Sequence, residues 1–111
     1  MANKFKIYCT SLTNTAETTL ITAGTSSIFI VSSIIISNTN PTINSSVDLV
    51  ITDTSESADF NILKTESFLR TVSKEVLSRP LIMEDTDILK IQAADANIFD
   101  VMVSYLDRDR D

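Results

Sequence analysis

Residues 27–37, Ser-Ile-Phe-Ile-Val-Ser-Ser-Ile-Ile-Ile-Ser, decide the fold class of this chain. Six of these eleven residues are β-branched, and such side chains are stiff at χ1 and pack well on a pleated surface. The segment therefore predicts a strand, since it is far shorter than the roughly 20 residues of a membrane helix. Because apolar residues occur at both odd and even positions, we expect a central strand that is covered on both faces.

Segments with an apolar residue at every second position surround this strand, and that period is typical of half-buried strands. Residues 4–10 place Phe5, Ile7 and Cys9 on one face, which we predict to be the core face, and Thr18–Thr22 forms a short strand before the only glycine, Gly24. Further strands are predicted downstream at residues 47–52, 60–64, 89–93 and 99–105.

The segment from residue 66 to residue 77 allows two interpretations. Phe68, Leu69, Val72 and Val76 fit the apolar stripe of an amphipathic helix. The same residues also fit a short extended piece, a turn at positions 70–71 and a strand, and we favour this interpretation. Seven or eight short strands spaced about ten residues apart then predict an all-β protein. We expect an antiparallel β-sandwich or jelly roll that occupies residues 1–111 as a single domain.

The charge and cysteine content restrict the partners of the protein. The formal net charge is −6 and the sequence pI is about 4.4, and the nine basic residues form no stripe. Phosphate backbones and anionic lipid surfaces attract basic protein surfaces, so we expect neither a nucleic-acid nor a membrane partner. The N-terminal residues resemble no secretory signal. Cys9 is the only cysteine, and we expect it to be a small buried hydrophobe in a protein made in a reducing compartment.

The residues that most enzymes use are missing from the sequence. The chain has no histidine, one cysteine and one glycine. Histidine-based triads, ordinary zinc sites and phosphate-binding loops are therefore excluded. Glu84, Asp85 and Asp87 lie close together, but their spacing matches no standard calcium loop, and we interpret them as a solvated acidic turn. We predict no catalytic, cofactor-binding or metal-binding residues, no cofactor and no enzymatic activity.

A carbohydrate- or receptor-binding module on the same fold is one candidate function, which we rank behind the structural roles given below. Such a module needs an aromatic platform or a calcium site. The sequence has no tryptophan, two tyrosines and five phenylalanines. The alternation predicts that Phe5, Phe99 and Tyr105 face the core, which leaves few rings for a platform.

From Thr18 onward the chain resembles a family of small structural proteins of tailed bacteriophage particles. The matching segments are 18–22 (Thr-Thr-Leu-Ile-Thr), 24–26 (Gly-Thr-Ser), 28–36, 37–39 (Ser-Asn-Thr), 62–64, 79–84 (Arg-Pro-Leu-Ile-Met-Glu), 87–91 and 101–106 (Val-Met-Val-Ser-Tyr-Leu). The chain departs from the family pattern in three places, and the first is a missing proline near residue 23. Arg70-Thr71 replaces a Pro-Ala-Gly-like turn, and Asp85-Thr86 stands where Ala-Gly is common.

The resemblance implies a β-sandwich that is made in the cytoplasm of a bacterial host and carried on the virion. It implies a non-enzymatic structural protein whose partners are other virion proteins, and a decoration or cement protein bound to the major capsid protein is the first expectation. An accessory protein of the neck, tail or baseplate is the alternative. A homo-oligomer formed by symmetric contacts is expected in either position, and the local symmetry of a capsid would favour trimers or capsid-bound copies.

Overall fold

A computed structural model describes residues 3–109, and every regular element within this range is a β-strand. This finding confirms the all-β prediction. The described part of the chain has no helix that is long and apolar enough to cross a membrane. In chain order the strands are β1 (Asn3–Ser11), β2 (Thr18–Thr22), β3 (Ser27–Asn38), β4 (Ser45–Asp53), β5 (Ala58–Phe68), β6 (Ser73–Glu75), β7 (Leu81–Met83), β8 (Ile88–Ala93) and β9 (Phe99–Asp109).

The strands form two antiparallel sheets that pack face to face. The five-stranded sheet has the order β1-β9-β3-β6, with β7 also paired to β3, and the four-stranded sheet has the order β2-β8-β4-β5. The pairing is nested: β1 pairs with β9, β2 with β8, β3 with β6 and β7, and β4 with β5. A chain folded back on itself in this way and rolled into two sheets is a jelly roll. Of the two architectures that the sequence left open, the structure selects this one.

A β-bulge in β3 moves its buried residues from odd to even positions along the strand. The register with β9 shifts between Val31 and Ser33, so that Ser32 is an extra residue. An extra residue reverses the alternation of side chains that follow it. The buried residues of β3 are accordingly Phe29 and Val31 before the bulge, and Ile34 and Ile36 after it.

The position of β3 within its sheet is as predicted, but its covering is not. β3 pairs with β9 on one edge and with β6 and β7 on the other. Only one face is buried, because Ile28, Ile30 and Ile35 on the opposite face remain half-buried. The prediction that both faces are covered is therefore wrong, and the physical reason for the misleading pattern is that the opposite face of β3 is apolar without being covered.

Glu75 fastens this bulge from the neighbouring strand β6. Its carboxylate accepts hydrogen bonds from the hydroxyl of Ser33 and from the main-chain N–H of Ile34, at 2.8 Å. Burial raises the pKa of Glu75, but the hydrogen bonds from Ser33 and from the main-chain N–H groups of residues 34, 76 and 77 outweigh it and lower the pKa below its usual value. The carboxylate thus satisfies the main-chain N–H of Ile34 on the edge of β3 opposite β9, between the segments that pair with β6 and β7.

The segment from residue 66 to residue 77 is extended, as we predicted, and the helical interpretation is wrong. β5 continues to Phe68, a turn follows at Arg70 and Thr71, and β6 begins at Ser73. The N–H of Val72 donates to the carbonyl of Leu69 at 3.1 Å across this turn. The prediction missed β7, which is why the described residues contain nine strands instead of seven or eight. It also placed the limits of β5 too narrowly.

Two turns place a threonine in the left-handed region of backbone space. The φ angle is 63° at Thr71 and 65° at Thr86. A β-branched residue is strained there, whereas glycine is not.

Candidate interaction face

The surface of the five-stranded sheet that points away from the core carries a group of exposed apolar side chains. We name this group the outer apolar face, and its residues are Phe5, Ile7, Ile30, Ile35, Ile82, Met102 and Leu106. Exposure is 88% for Phe5, 63% for Ile7, 52% for Ile82 and 38% for Met102. Such a contiguous apolar patch on a soluble protein commonly marks a surface that contacts another molecule.

The strand register brings these residues together. Phe5 on β1 lies opposite Leu106 on β9, Leu106 lies opposite Ile30 on β3, and Ile30 lies opposite Ile82 on β7. Directly opposed residues of an antiparallel sheet point to the same face, about 5 Å apart. The four side chains therefore form one apolar row across four strands. Met102 and Ile35 are paired farther along the same face.

The structure corrects the predicted orientation of β1. Phe5, Ile7 and Cys9 were expected to face the core, but all three are exposed. The prediction that Cys9 is buried is also wrong. Period-two alternation separates two faces without saying which one is inward. The register decides this point, because it sets Tyr8 beside Val103, whose side chain is fully buried. Tyr8 consequently packs against the core.

The predicted facing of β9 is correct. Phe99 is buried, and Tyr105 packs against the core with its ring 4.7 Å from that of Phe29. Leu106 is half-buried on the outer face. The alternation of residues in β1 and β9 did not predict the outer apolar face. Met102, an apolar residue between Asp100 and Ser104 on the polar side of β9, was the one signal for it.

Two open grooves run over this face. One, of about 470 Å³, is lined by Phe5, Ile7, Ile30 and Leu106 together with neighbouring residues. The other, of about 690 Å³, lies at the opposite end of the same sheet and includes Cys9 and Met102. Side chains of the first groove are mainly apolar, so it can accept an apolar side chain from a partner but offers little for a polar ligand.

Polar groups on β1 and β9 are hydrogen-bonded on both sides of the sheet; Lys6 and Asp107 alternate with Phe5 and Leu106 and therefore point to the face opposite the apolar row. Lys6 Nζ donates to Asp107 Oδ2 at 3.0 Å, and this hydrogen bond, with the negative charge of Asp107, raises the pKa of Lys6 despite some desolvation. At the other end of β1 the hydroxyl of Ser11 donates to Asp100 at 2.6 Å. Ser11 and Asp100 lie on the outer face and give the apolar group a polar border at this end of the sheet, as the rim of a protein–protein contact surface usually is.

The acidic turn at residues 84–87 has a structural role. The carboxylate of Asp87 accepts hydrogen bonds from the main-chain N–H of Glu84, at 2.9 Å, and of Thr54, at 3.3 Å. It therefore connects this turn to the end of β4. Among residues 3–109, no three histidine, cysteine or acidic side chains are arranged to hold a metal ion.

Exposed aromatic rings form no platform in the described chain. The two exposed rings are Phe5 and Phe60, and they lie on different sheets. The remaining rings are buried or packed against the core. A sugar would thus meet a single ring at either position, whereas stacking platforms combine several.

Comparison of the chain with protein-family models, with curated proteins and with solved structures finds no match. The geometry of the outer apolar face and the segments described in the sequence analysis are therefore the basis for the function proposed below.

Proposed function

We propose that this protein is a non-enzymatic structural component of a bacteriophage particle that decorates the outside of the capsid. It would bind the major capsid protein through the outer apolar face. The single observation that carries the proposal is the apolar row of Phe5, Leu106, Ile30 and Ile82, which stays open to solvent on an acidic protein.

The energy available from this face supports a binding role. A fully buried isoleucine or phenylalanine side chain contributes roughly 1.5–3 kcal/mol. Phe5, Ile7 and Ile82 each expose more than half of their surface, so covering them is favourable. They lie on strands of a rigid sheet, so little conformational entropy is lost when a partner binds.

Two further considerations favour a virion over other assemblies. Segments across most of the chain resemble small phage structural proteins, as described above. The jelly roll is also frequent in viral capsid proteins, although this is an analogy at the level of the fold and lectins share it. The lectin alternative is disfavoured by the separation of Phe5 from Phe60.

The proposal is tested by binding of the purified chain to phage capsids that lack it. We expect the protein to bind expanded capsids and to raise their resistance to heat, measured by differential scanning calorimetry. Replacement Ile82→Asp should weaken binding by roughly tenfold or more, since it removes one buried apolar side chain and places a charge in the contact.

A matched control is available on the other sheet. Phe60 is exposed to the same extent as Ile82, 52%, but belongs to β5. Phe60→Asp should bind capsids like the natural chain. Equal weakening by both variants, or no binding by the natural chain, would contradict the proposal.

A position on the neck, tail or baseplate uses the same face with another partner. Cryo-electron microscopy of particles that contain the protein separates the two positions, because a capsid protein is present in far more copies than a tail protein. Density on the tail alone would replace the capsid assignment.

A further inference from the structure

The free edge of β1 is unusual among the sheet edges of this protein. β1 is the outermost strand of the five-stranded sheet and pairs with β9 over nine residues without a register shift. Exposed edges are normally protected by short strands, bulges or charges. Among the described strands, β6 and β7 have three residues each, β2 and β5 contain register shifts, and β5 carries Asp59, Lys64 and Glu66. The long regular edge therefore remains open only at β1.

Two hydrogen bonds establish which main-chain groups of β1 point outward. The N–H of Leu12 donates to the carbonyl of Phe99 at 2.9 Å, so Leu12 and every second residue before it point their main-chain groups toward β9. The carbonyl of Ser104, opposite Ile7, instead accepts a bond from Ser32 on β3. Both hydrogen bonds show that the even-numbered residues of β1 direct their main-chain N–H and C=O groups toward β9. The N–H and C=O groups of Phe5, Ile7 and Cys9 face the open edge.

We propose that β1 pairs in an antiparallel manner with β1 of a second copy of this chain, around a two-fold axis that passes through Ile7. In this register Ile7 lies opposite Ile7 of the second copy, Phe5 lies opposite Cys9, and all nine residues of β1 are paired. The opposed residues at positions 3, 5, 7, 9 and 11 have main-chain groups that point outward, as hydrogen-bonded pairs require, and the even-numbered residues between them form the non-hydrogen-bonded pairs.

The charges of β1 select this register. Lysine on an edge strand opposes pairing with most other strands, and like charges directly opposite each other are destabilising. A shift of the axis to residue 6 would place Lys6 opposite Lys6 of the second copy. With the axis at Ile7, Lys6 lies opposite Tyr8, Lys4 lies opposite Thr10, and the charge of Lys6 is already balanced by Asp107.

The pairing would join two five-stranded sheets into one sheet of ten strands. Phe5 and Ile7 point to the same side of the sheet in both copies, so the two outer apolar faces become one continuous surface. The dimer forms without a capsid, and it would therefore persist if the proposed particle function proved wrong. Failure of the dimer would likewise leave the proposed capsid binding intact, because the capsid assay depends on the outer apolar face and not on the edge of β1.

Cysteine cross-linking tests the register in the full chain. In a Cys9→Ser background, Ile7→Cys places two thiols opposite each other with Cα atoms about 5.5 Å apart, which suits a disulfide. Phe5→Cys in the same background separates the two thiols by about 14 Å along the strands, beyond the reach of a disulfide. We expect rapid dimer formation under mild oxidation for the first variant and at least about tenfold slower formation for the second.

The control variant is informative because Phe5 is more exposed than Ile7, 88% against 63%. Random collisions would favour the thiol at position 5. Equal or faster cross-linking at position 5 would overturn the proposal.

Sedimentation velocity of the uncross-linked chain gives a second measurement. We expect a dimer for the natural chain and a monomer for Ile7→Lys, which places two ammonium groups at the axis. Ile82→Lys lies on the same face but away from the edge, and it should remain a dimer. A natural chain that sediments as a monomer or a trimer, or an Ile7→Lys variant that stays dimeric, would refute the pairing.

Discussion

Asn38 is the residue whose replacement we expect to damage the fold most for its size. It ends β3, and only 1% of its surface is exposed. Its Nδ2 donates to the carbonyl oxygens of Ile43, at 2.9 Å, and Phe68, at 3.1 Å, and its Oδ1 accepts from the N–H of Asn40 at 2.9 Å. One amide thus connects the end of β3, the loop toward β4 and the end of β5.

The cost of Asn38→Ala follows from these contacts. Three intramolecular hydrogen bonds contribute about 1 kcal/mol each, and a buried carbonyl left without a partner costs roughly 1–3 kcal/mol. We expect the free energy of unfolding to fall by about 4–6 kcal/mol, a large part of the roughly 5–15 kcal/mol of a typical domain.

Urea denaturation at neutral pH, followed by circular dichroism, measures this loss. Asn61→Ala is the matched control because Asn61 is exposed on β5, and its effect should stay within about 0.5 kcal/mol. The denaturant dependence should be unchanged in both variants, so that midpoints compare directly. A loss below about 1 kcal/mol for Asn38→Ala, or equal losses for both variants, would refute the reasoning.

Two other changes test the backbone and the bulge. Thr71→Gly should stabilise the protein by roughly 0.5–1 kcal/mol. Removal of the strain of a β-branched residue at positive φ gains more free energy than glycine loses through the greater entropy of the unfolded chain. A lower urea midpoint would contradict this. Glu75→Gln tests the carboxylate that holds Ser33 and Ile34. The lowered pKa of Glu75 means that the charged form stabilises the fold above the unfolded-state pKa near 4.5 and that this contribution is lost as pH falls. The variant should therefore be less stable than the natural chain at pH 7 and should approach it at pH 3, as thermal melts across this range would show. An equal difference at both pH values would exclude the proposed role.

The apolar positions of β8 and β9 were predictable because each strand has one strongly apolar face. Leu89, Ile91 and Ala93 are buried, as are Phe99 and Val101, in agreement with the alternation. The sandwich followed from such segments, since each must bury one face against a second layer. The absence of histidine and the single glycine also limited the possible chemistry before any coordinates were known.

The outer apolar face was not predictable from the same patterns. Ile28, Ile30 and Ile35 read as core residues until the extra residue Ser32 is placed, and only the pairing of β3 with β9 reveals that bulge. The face of β1 was predicted with the wrong side inward because an edge strand of alternating residues fits a sheet in either orientation.

The sequence by itself determined that this chain folds into two layers of short strands. Local propensity and period-two alternation act within each segment, so they are readable in one dimension. The tertiary structure alone decided which side of β1 is exposed, where β3 changes its alternation and which edge stays open. These features depend on register between residues that are about 70 to 100 positions apart, such as Ser32 with Ser104 and Phe5 with Leu106, and no local pattern records that pairing.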